Sequence, residues 1–171
     1  RERLKVMHSF GIHAASLLPI LGFVGPNIYA AAGPDALDFQ TAARQAYNDF
    51  LLEWCSADPD RLISLALIPY WDVDAAVAEI ERAAAMGHKG LVSTGKPQEH
   101  GQPLFVDRHW DRMWAAAQDA GLSISFHVGG GELSRHMNDE RIQSEGWRAT
   151  LARLTTSFVL ESGIGLADVL M

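Results

Sequence analysis

The sequence predicts an α/β fold in which parallel strands alternate with helices. Four short apolar runs have the length of strands, and a helical pattern follows each of them. Three of the runs begin at residues 62, 90 and 123, close to the roughly 30-residue length of a βα unit. Alternation of this kind is typical of parallel sheets covered by helices. The predicted strands are residues 12–18, 62–69, 90–93 and 123–127.

The segments that follow the strands carry apolar residues every three or four positions, which predicts helices with one buried face each. In the second helix, predicted over residues 74–86, Asp72 is placed to cap the start and Gly87 follows the end. We expect the apolar stripes to pack in the core rather than to bind a cofactor. The stripes are Ala42, Ala43, Ala46, Tyr47, Phe50 and Trp54; Val77, Ile80 and Ala84; Trp110, Met113, Trp114, Ala117 and Ala120; and Trp147, Leu151, Leu154 and Phe158.

The loops are long on one side of the predicted strands and short on the other. The connections that enter strands are short (10–11, 87–89 and 121–122), whereas most of those that leave strands are long (19–38, 94–109 and 128–146). In a (β/α) barrel the loops that leave the strands build the active-site face. Long irregular loops are usually functional or disordered. The sequence therefore predicts a barrel whose functional residues lie at the carboxyl ends of its strands.

A closed barrel contains eight βα units in roughly 250 residues, and this chain of 171 residues has four predicted units. We therefore expect residues 1–171 to form a single incomplete barrel domain. An open, doubly wound parallel sheet of four strands is the alternative. No G-x-G-x-x-G follows the first predicted strand, which disfavours a dinucleotide-binding version of that fold.

The composition limits the classes of partner. The net charge is −7, so the chain lacks the basic surface that nucleic acids and anionic membranes attract. No apolar run approaches the ~20 residues that cross a bilayer. We expect a cytoplasmic protein whose partner is a small-molecule substrate, and homo-oligomerisation stays open.

His127 is the strongest candidate for a metal ligand. In the last predicted strand, Ile124 and Phe126 point to one face, while Ser123, Ser125 and His127 point to the other. If the first face meets the covering helices, His127 faces inward at the mouth of the barrel. Three glycines follow one residue later and leave room for close approach to the backbone. Neutral imidazole is a good ligand for Zn²⁺; the alternative is a hydrogen-bonded core histidine.

Other reactive side chains have ordinary structural interpretations. Cys55, which has no second cysteine to pair with, is predicted to be a buried free thiol rather than a nucleophile. Lys89 precedes its strand, at the wrong end for a Schiff-base lysine. His13 and His88 are expected to be structural. Five side chains lie on the loops that leave the predicted strands, which we call the upper loops. They could meet a substrate, but we expect them to be solvated: His100, His109, Arg135, His136 and Arg141. Trp147 could close over the site, although its place in a helical stripe favours the core.

Nearly the whole chain resembles the amidohydrolase-2 family, the metal-dependent barrel enzymes that include aminocarboxymuconate-semialdehyde decarboxylase and related aromatic-acid decarboxylases. The order and spacing of several short stretches carry this resemblance. These stretches are Asn48 with residues 57–62; residues 68–69 with Asp72, Ala76, Glu79 and Arg82; residues 87–90; residues 110–114; Gly121; and residues 126–130.

The resemblance implies a fragment of a (β/α)8 barrel that contains strands 2 to 5, with His127 as the strand-5 ligand of one divalent metal ion, expected to be zinc. It assigns the other ligands, a His-x-His or Glu-x-His pair on strand 1, a strand-6 histidine and a strand-8 aspartate, to positions outside these 171 residues. It implies hydrolysis or non-oxidative decarboxylation of a small aromatic or unsaturated carboxylic acid by the parent protein, with the isolated fragment inactive. A degenerate barrel that serves as a non-catalytic binding module is the alternative.

Overall fold

The computed structural model describes residues 2–18, 36–127 and 138–170, and these form six helices, four strands and two short 3-10 turns. The helices are α1 (Glu2–Ser9), α2 (Ala36–Cys55), α3 (Val73–Met86), α4 (Asp111–Asp119), α5 (Asp139–Glu145) and α6 (Trp147–Leu170). The strands are β1 (Ala15–Leu17), β2 (Leu62–Leu67), β3 (Gly90–Thr94) and β4 (Ile124–His127), and the 3-10 turns are Pro97–His100 and Arg108–Trp110.

The four strands form one parallel sheet in the order β1-β2-β3-β4. Each strand pairs with the next one in the sequence, and the order never reverses. A doubly wound sheet has such a reversal, at which its ligands bind. The strand order therefore confirms the predicted α/β fold and favours a barrel segment, in which β1 to β4 stand for the predicted strands 2 to 5.

Helix α3 shows how local chemistry fixes the element boundaries. The Asp72 carboxylate accepts hydrogen bonds from the backbone N–H groups of Asp74 and Ala75 and caps the helix start, as predicted. Gly87 ends the helix in the left-handed region, at a φ of 99°, and its N–H donates to the carbonyls of Ala83 and Ala84. The chain then turns directly into β3, so α3 is held against the sheet by short connections.

The main core lies between the sheet and helices α3 and α4. Trp110 and Met113 are fully buried there, which confirms the third predicted stripe. Gly90 allows close packing at the start of β3, because a Cβ at this position would lie 2.8 Å from the Leu65 side chain. The buried members of this core are Ala66, Ile68, Tyr70, Ala76, Ile80, Ala83, Leu91, Phe105, Trp110, Met113 and Ala117.

The buried face of α2 differs from the predicted one. Its buried residues are Ala36, Gln40, Arg44, Asn48, Leu51 and Cys55. The predicted stripe was wrong at Ala42, Ala46, Phe50 and Trp54, which are exposed. Apolar periodicity does not detect a helix face on which the buried side chains are polar. On this face Asn48 donates a hydrogen bond to β2, and Arg44 donates one to Gln40, so these side chains are buried with hydrogen-bond partners.

The stripe predicted for α6 is also only partly buried. Leu154 is buried, but Trp147 is 54% exposed and Leu151 is exposed as well, so the prediction of a core position for Trp147 was wrong. The physical reason is that, among the described elements, α6 packs chiefly against the short α5 rather than on the sheet. In the described ranges, no helix is both long enough and apolar enough to cross a membrane.

Several predicted boundaries need correction. Strand β1 is shorter than residues 12–18, and helix α1 was not predicted at all. The predicted loop over residues 94–109 contains the first 3-10 turn and the start of the second. The loop over residues 128–146 contains α5, which Asn138 caps by accepting from the Arg141 N–H. Short capped helices such as α5 carry no apolar period, so the periodicity argument does not detect them.

Candidate functional site

His127 is the last residue of β4, and its Cα partner on β3 is Thr94. Ile124 and Phe126 pack against the core that the sheet shares with α3 and α4. Because side chains alternate along a strand, His127 lies on the opposite face, together with Thr94. This agrees with the alternation that the sequence predicts, and it places a half-buried imidazole at the carboxyl end of the sheet.

The loop that leaves β3 turns sharply beside His127. The Thr94 hydroxyl is buried and accepts a hydrogen bond from the backbone N–H of Lys96 at 3.1 Å. The Lys96 ammonium lies 3.4 Å from the Glu99 carboxylate, and both side chains are largely shielded from water. Sequence reasoning did not single out Thr94 or Lys96, although both lie where a parallel strand ends, the region in which a barrel places its functional side chains.

The donor chemistry of His127 suits a divalent metal ion, since neutral imidazole binds Zn²⁺, Mn²⁺ and similar ions. No group of three or more His, Cys, Asp or Glu side chains gathers anywhere in the described ranges. His127 can therefore supply one ligand of a metal site, and the described residues do not complete the set.

Two histidines were expected to be structural. His13 is exposed and precedes β1 rather than lying within a strand, which corrects the predicted strand boundary; its backbone carbonyl accepts from Arg61 Nε at 2.8 Å. His88 lies between α3 and β3, at the opposite end of the sheet from His127, and is buried. Burial lowers the pKa of His88, which favours the neutral form of its imidazole. Neither position brings a histidine to the carboxyl ends of the strands.

The upper-loop candidates fall into different environments. His109 is exposed and packs edge-on against Trp110, with ring centroids 4.8 Å apart. His100 is only half-buried rather than fully solvated, and its ring centroid lies 5.4 Å from that of Tyr70. Arg141 donates to the Glu145 carboxylate at 3.2 Å within α5. Arg135 and His136 lie outside the described residues.

The remaining reactive side chains lie at the opposite end of the sheet. Cys55 is a buried free thiol, as predicted, and burial raises its pKa, which makes the thiolate rare. Lys89 is exposed directly before β3. Both residues line an open pocket of about 610 Å³ at this end, together with Leu52, Pro59 and Met86. Neither is placed to react with a molecule bound near His127.

A buried polar group, which we call the α2 polar cluster, consists of Gln40, Arg44, Tyr70 and Trp71. The Arg44 guanidinium lies over the Trp71 ring, 4.1 Å from its centroid, and donates to Gln40 Oε1 at 3.3 Å. Gln40, Arg44 and Tyr70 are each at most 2% exposed. Gln40 and Arg44 lie in the first half of α2, and Tyr70 follows β2, so the cluster lies towards the carboxyl ends of the strands. Apolar periodicity gave no signal for it.

Known proteins similar in sequence are decarboxylases. The amidohydrolase family model matches residues 24–162. Gamma-resorcylate decarboxylases from Rhizobium radiobacter and from another Rhizobium strain are each 38% identical to the chain over 129 residues. This alignment covers 73% of the chain but 37% of each relative. The chain thus spans less than half of the length of the curated relatives it matches.

Solved structures share the fold. The chain matches 2,6-dihydroxybenzoate decarboxylase from Rhizobium with a TM-score of 0.67 and 20% identity, covering 98% of this chain and 49% of that one. It matches 5-carboxyvanillate decarboxylase from Novosphingobium aromaticivorans, solved with manganese and 3-methoxy-4-hydroxy-5-nitrobenzoic acid, with a TM-score of 0.69 and 23% identity, covering 97% of this chain and 43% of that one. The described sheet is half of a (β/α)8 barrel, as predicted. From the match over residues 24–162 and the 38% identity, we conclude that the chain belongs to the amidohydrolase family.

Proposed function

We propose that the complete protein is a divalent-metal-dependent carboxy-lyase that removes CO₂ from a hydroxylated aromatic acid, with His127 as one of its metal ligands. The observation that carries the proposal is the place of His127, at the end of β4 and on the same face as Thr94, in a chain 38% identical to gamma-resorcylate decarboxylases. Strand-end residues on this face of a barrel serve chemistry more than packing.

The imidazole of His127 would hold the ion through one ring nitrogen. A bound divalent ion would polarise a substrate carboxylate and lower the pKa of its water towards ~7. Thr94 would act as a positioning residue, because its hydroxyl fixes the Lys96 backbone and hence the loop beside His127. The remaining ligands are those that the resemblance assigns to strands 1, 6 and 8.

Decarboxylation without an oxidant has a simple balance of atoms and electrons. A proton adds to the ring carbon that bears the carboxylate, the bond from this carbon to the carboxylate carbon breaks, and its electron pair restores the aromatic ring as CO₂ leaves. The proton is expected from a group on strand 8. Hydrolysis, in which hydroxide attacks a carbonyl, is the second reaction of the family, and the decarboxylase relatives favour the first.

The identity of the metal ion stays a prediction. Zinc is the expectation from the resemblance, while manganese is present in the structures of the Novosphingobium decarboxylase and of a dihydroxybenzoic acid decarboxylase from Polaromonas. An imidazole nitrogen binds either ion, so His127 does not discriminate between them.

The experiment uses the complete protein, stripped with a chelator and reloaded separately with Zn²⁺ or Mn²⁺. We expect release of CO₂ and 1,3-dihydroxybenzene from 2,6-dihydroxybenzoate with at least one metal, and none from the stripped protein. A different outcome is that the protein binds metal, hydrolyses esters or amides and releases no CO₂ from any hydroxybenzoate. This outcome would contradict the proposed decarboxylation and favour the hydrolytic reaction. Failure to retain either metal would favour the non-catalytic module.

A further inference from the structure

The pocket that contains Cys55 and Lys89, which we call the lower pocket, is a cavity of about 610 Å³ at the amino ends of β2 and β3. Its walls are the last turns of α2, the start of β2 and the end of α3, and every residue that lines it belongs to the described part of the chain. Cavities of roughly 300–1,000 Å³ hold small molecules in proteins. The lower pocket is therefore large enough for a ligand, and it lies at the opposite end of the sheet from His127.

The walls of the lower pocket are mostly apolar. Leu52, Pro59 and Leu62 contribute hydrocarbon side chains, and Cys55 and Met86 contribute side chains that contain sulfur. Burial raises the pKa of the Cys55 thiol, which keeps this group neutral near pH 7. Sulfur atoms make favourable contacts with aromatic rings, so these walls suit an aromatic ligand.

The charged side chains of the lower pocket balance one another. Lys89 contributes a positive charge and Glu53 a negative one, and both side chains are exposed. Asp49 also lines the pocket, but its carboxylate is paired with the Arg82 guanidinium at 2.6 Å. An anion bound here would be repelled by Glu53 and a cation by Lys89, so the charges favour a neutral ligand.

Ser64 offers a hydrogen-bonding group inside the lower pocket. Side chains alternate along β2, and Ser64 lies on the same face as Leu62 and Ala66, which pack against the helices. Ser64 is 2% exposed, and within the described part of the chain no partner forms a hydrogen bond with its hydroxyl. Most buried hydroxyls in native proteins are paired, and this one faces a cavity. A polar group of a ligand in the pocket would supply the partner.

We propose that the lower pocket binds a small neutral phenol. The aromatic ring would lie against the side chains of Cys55 and Met86, and the phenolic hydroxyl would bond with that of Ser64, since each hydroxyl can both donate and accept. Such a molecule combines the three properties that the pocket favours, namely an aromatic body, no net charge and one hydrogen-bonding group. The proposal goes beyond the proposed carboxy-lyase activity and does not depend on it.

The experiment measures the binding of phenol to the complete, metal-free protein by isothermal titration calorimetry. Ser64→Ala removes the hydroxyl with little change of size. Ser93→Ala is the matched control, because Ser93 is also 2% exposed and has a hydroxyl without a partner, but does not line the lower pocket. Toluene, in which a methyl group replaces the phenolic hydroxyl, measures the apolar contacts alone.

We expect the wild type and Ser93→Ala to bind phenol equally, and Ser64→Ala to bind it about fivefold more weakly, as for loss of one hydrogen bond between neutral groups. Toluene should bind equally to the wild type and to Ser64→Ala, and weaker binding to the variant would exclude the hydrogen bond to Ser64.

Two further results would overturn the proposal. No binding of phenol to the wild type would show that the lower pocket takes no phenol or is covered by another part of the complete protein, and equal binding to the wild type and Ser64→Ala would show that phenol binds elsewhere. Binding of benzoate or benzylamine that weakens in Ser64→Ala as much as phenol binding does would contradict a site for neutral ligands. Because binding is measured without metal or turnover, these results are independent of whether the protein is a decarboxylase.

Discussion

The side chain of Asn48 completes the hydrogen bonding of Leu67 at the end of β2. Asn48 Nδ2 donates to the Leu67 carbonyl at 3.0 Å, and Oδ1 accepts from the Leu67 N–H at 2.8 Å. The pairing of β1 with β2 runs only to Ser64, so Leu67 lies beyond the described end of β1. An asparagine amide has the same donor and acceptor as a peptide group, and here it takes the place of a strand partner.

We predict that Asn48→Leu lowers the free energy of unfolding of the complete protein by roughly 2–4 kcal/mol. The leucine fills the same space but leaves the buried N–H and C=O of Leu67 without partners. Urea denaturation monitored by circular dichroism measures the loss. Gln118→Leu, on the exposed face of α4, is the control and should change stability by no more than about 0.5 kcal/mol. Similar losses in the two variants would contradict the structural role of Asn48.

Among the described residues, Glu79 on α3 has the most deeply buried carboxylate. It accepts from Asn48 Nδ2 at 2.6 Å and from Arg82 Nε and Nη2 at 2.8 and 2.7 Å. The Arg82 guanidinium also reaches Asp49 at 2.6 Å, and these contacts raise the pKa of Arg82. Glu79 and Arg82 therefore form a bidentate ion pair with one buried end.

We predict that Arg82→Met destabilises the complete protein by roughly 3–5 kcal/mol, because it leaves the buried carboxylate of Glu79 without its cation. The double variant Glu79→Leu with Arg82→Met should recover a large part of this loss, since no buried charge then remains. Chemical denaturation of both variants and of Glu79→Leu completes a double-mutant cycle. Strictly additive effects of the two single substitutions would contradict the ion pair.

Most of the strands and the α3–α4 core could be predicted from sequence because each depends on a local apolar pattern. Strands β2 to β4 and the buried Trp110 and Met113 are of this kind. The inner face of α2 could not be predicted, because burial of Arg44 and Asn48 depends on partners that lie far away in the sequence. Periodicity records hydrophobicity, whereas hydrogen bonds decide which polar side chains are buried.

The candidate site, too, could be predicted from sequence only in part. Alternation along β4 was sufficient to place His127 opposite Ile124 and Phe126. To predict the neighbours of His127, one needs the register between β3 and β4. The sequence of a single strand does not contain this register, and so Thr94 was missed. Exposure of Trp147 was missed for a related reason, because a stripe predicts an apolar face but not what covers it.

We predict that protonation of His88 makes stability depend on pH. Burial lowers the pKa of His88, the positive charge of Arg82 lowers it further, and the charges of Glu79 and Asp49 oppose this only in part. The unfolded chain binds a proton near pH 6.5 and the folded chain does so only at lower pH. The contribution of His88 is therefore complete above about pH 6.5 and is lost as pH falls, by at most about 1.4 kcal/mol per pH unit.

Urea denaturation of the complete protein at several pH values between 7.5 and 5 tests this. His88→Leu removes the titrating group, so its stability should fall less steeply with decreasing pH than that of the wild type. Parallel pH profiles for the two proteins would show that other groups cause the dependence.

We predict that the isolated 171 residues self-associate. In the described sheet, β1 and β4 each pair on one side only, and open strand edges invite pairing with another chain. Ser16→Lys places a charge at an exposed position of β1 and should reduce association, whereas Ser56→Lys, exposed but off the sheet, should not. Light scattering after size-exclusion chromatography measures the mass. A monomer with a cooperative thermal transition would contradict the prediction.

We predict that His127→Ala in the complete protein lowers metal occupancy and abolishes most turnover while the fold stays intact. The geometric reason is that His127 ends β4 on the face opposite the α3–α4 core, beside Thr94, so that its loss opens no cavity in that core. The energetic reason is that water replaces a lost imidazole ligand poorly. Changes around a metal ligand alone typically reduce affinity or activity by roughly 10–100-fold, and loss of a ligand should exceed that. Metal analysis, activity and circular dichroism of the purified variant give the answer.

His13→Ala and His109→Ala remove exposed imidazoles and should keep metal and turnover near wild type. Full metal and a near-normal rate in His127→Ala would remove His127 from the metal site, and loss of metal in His13→Ala would show that the ligand had been assigned to the wrong histidine.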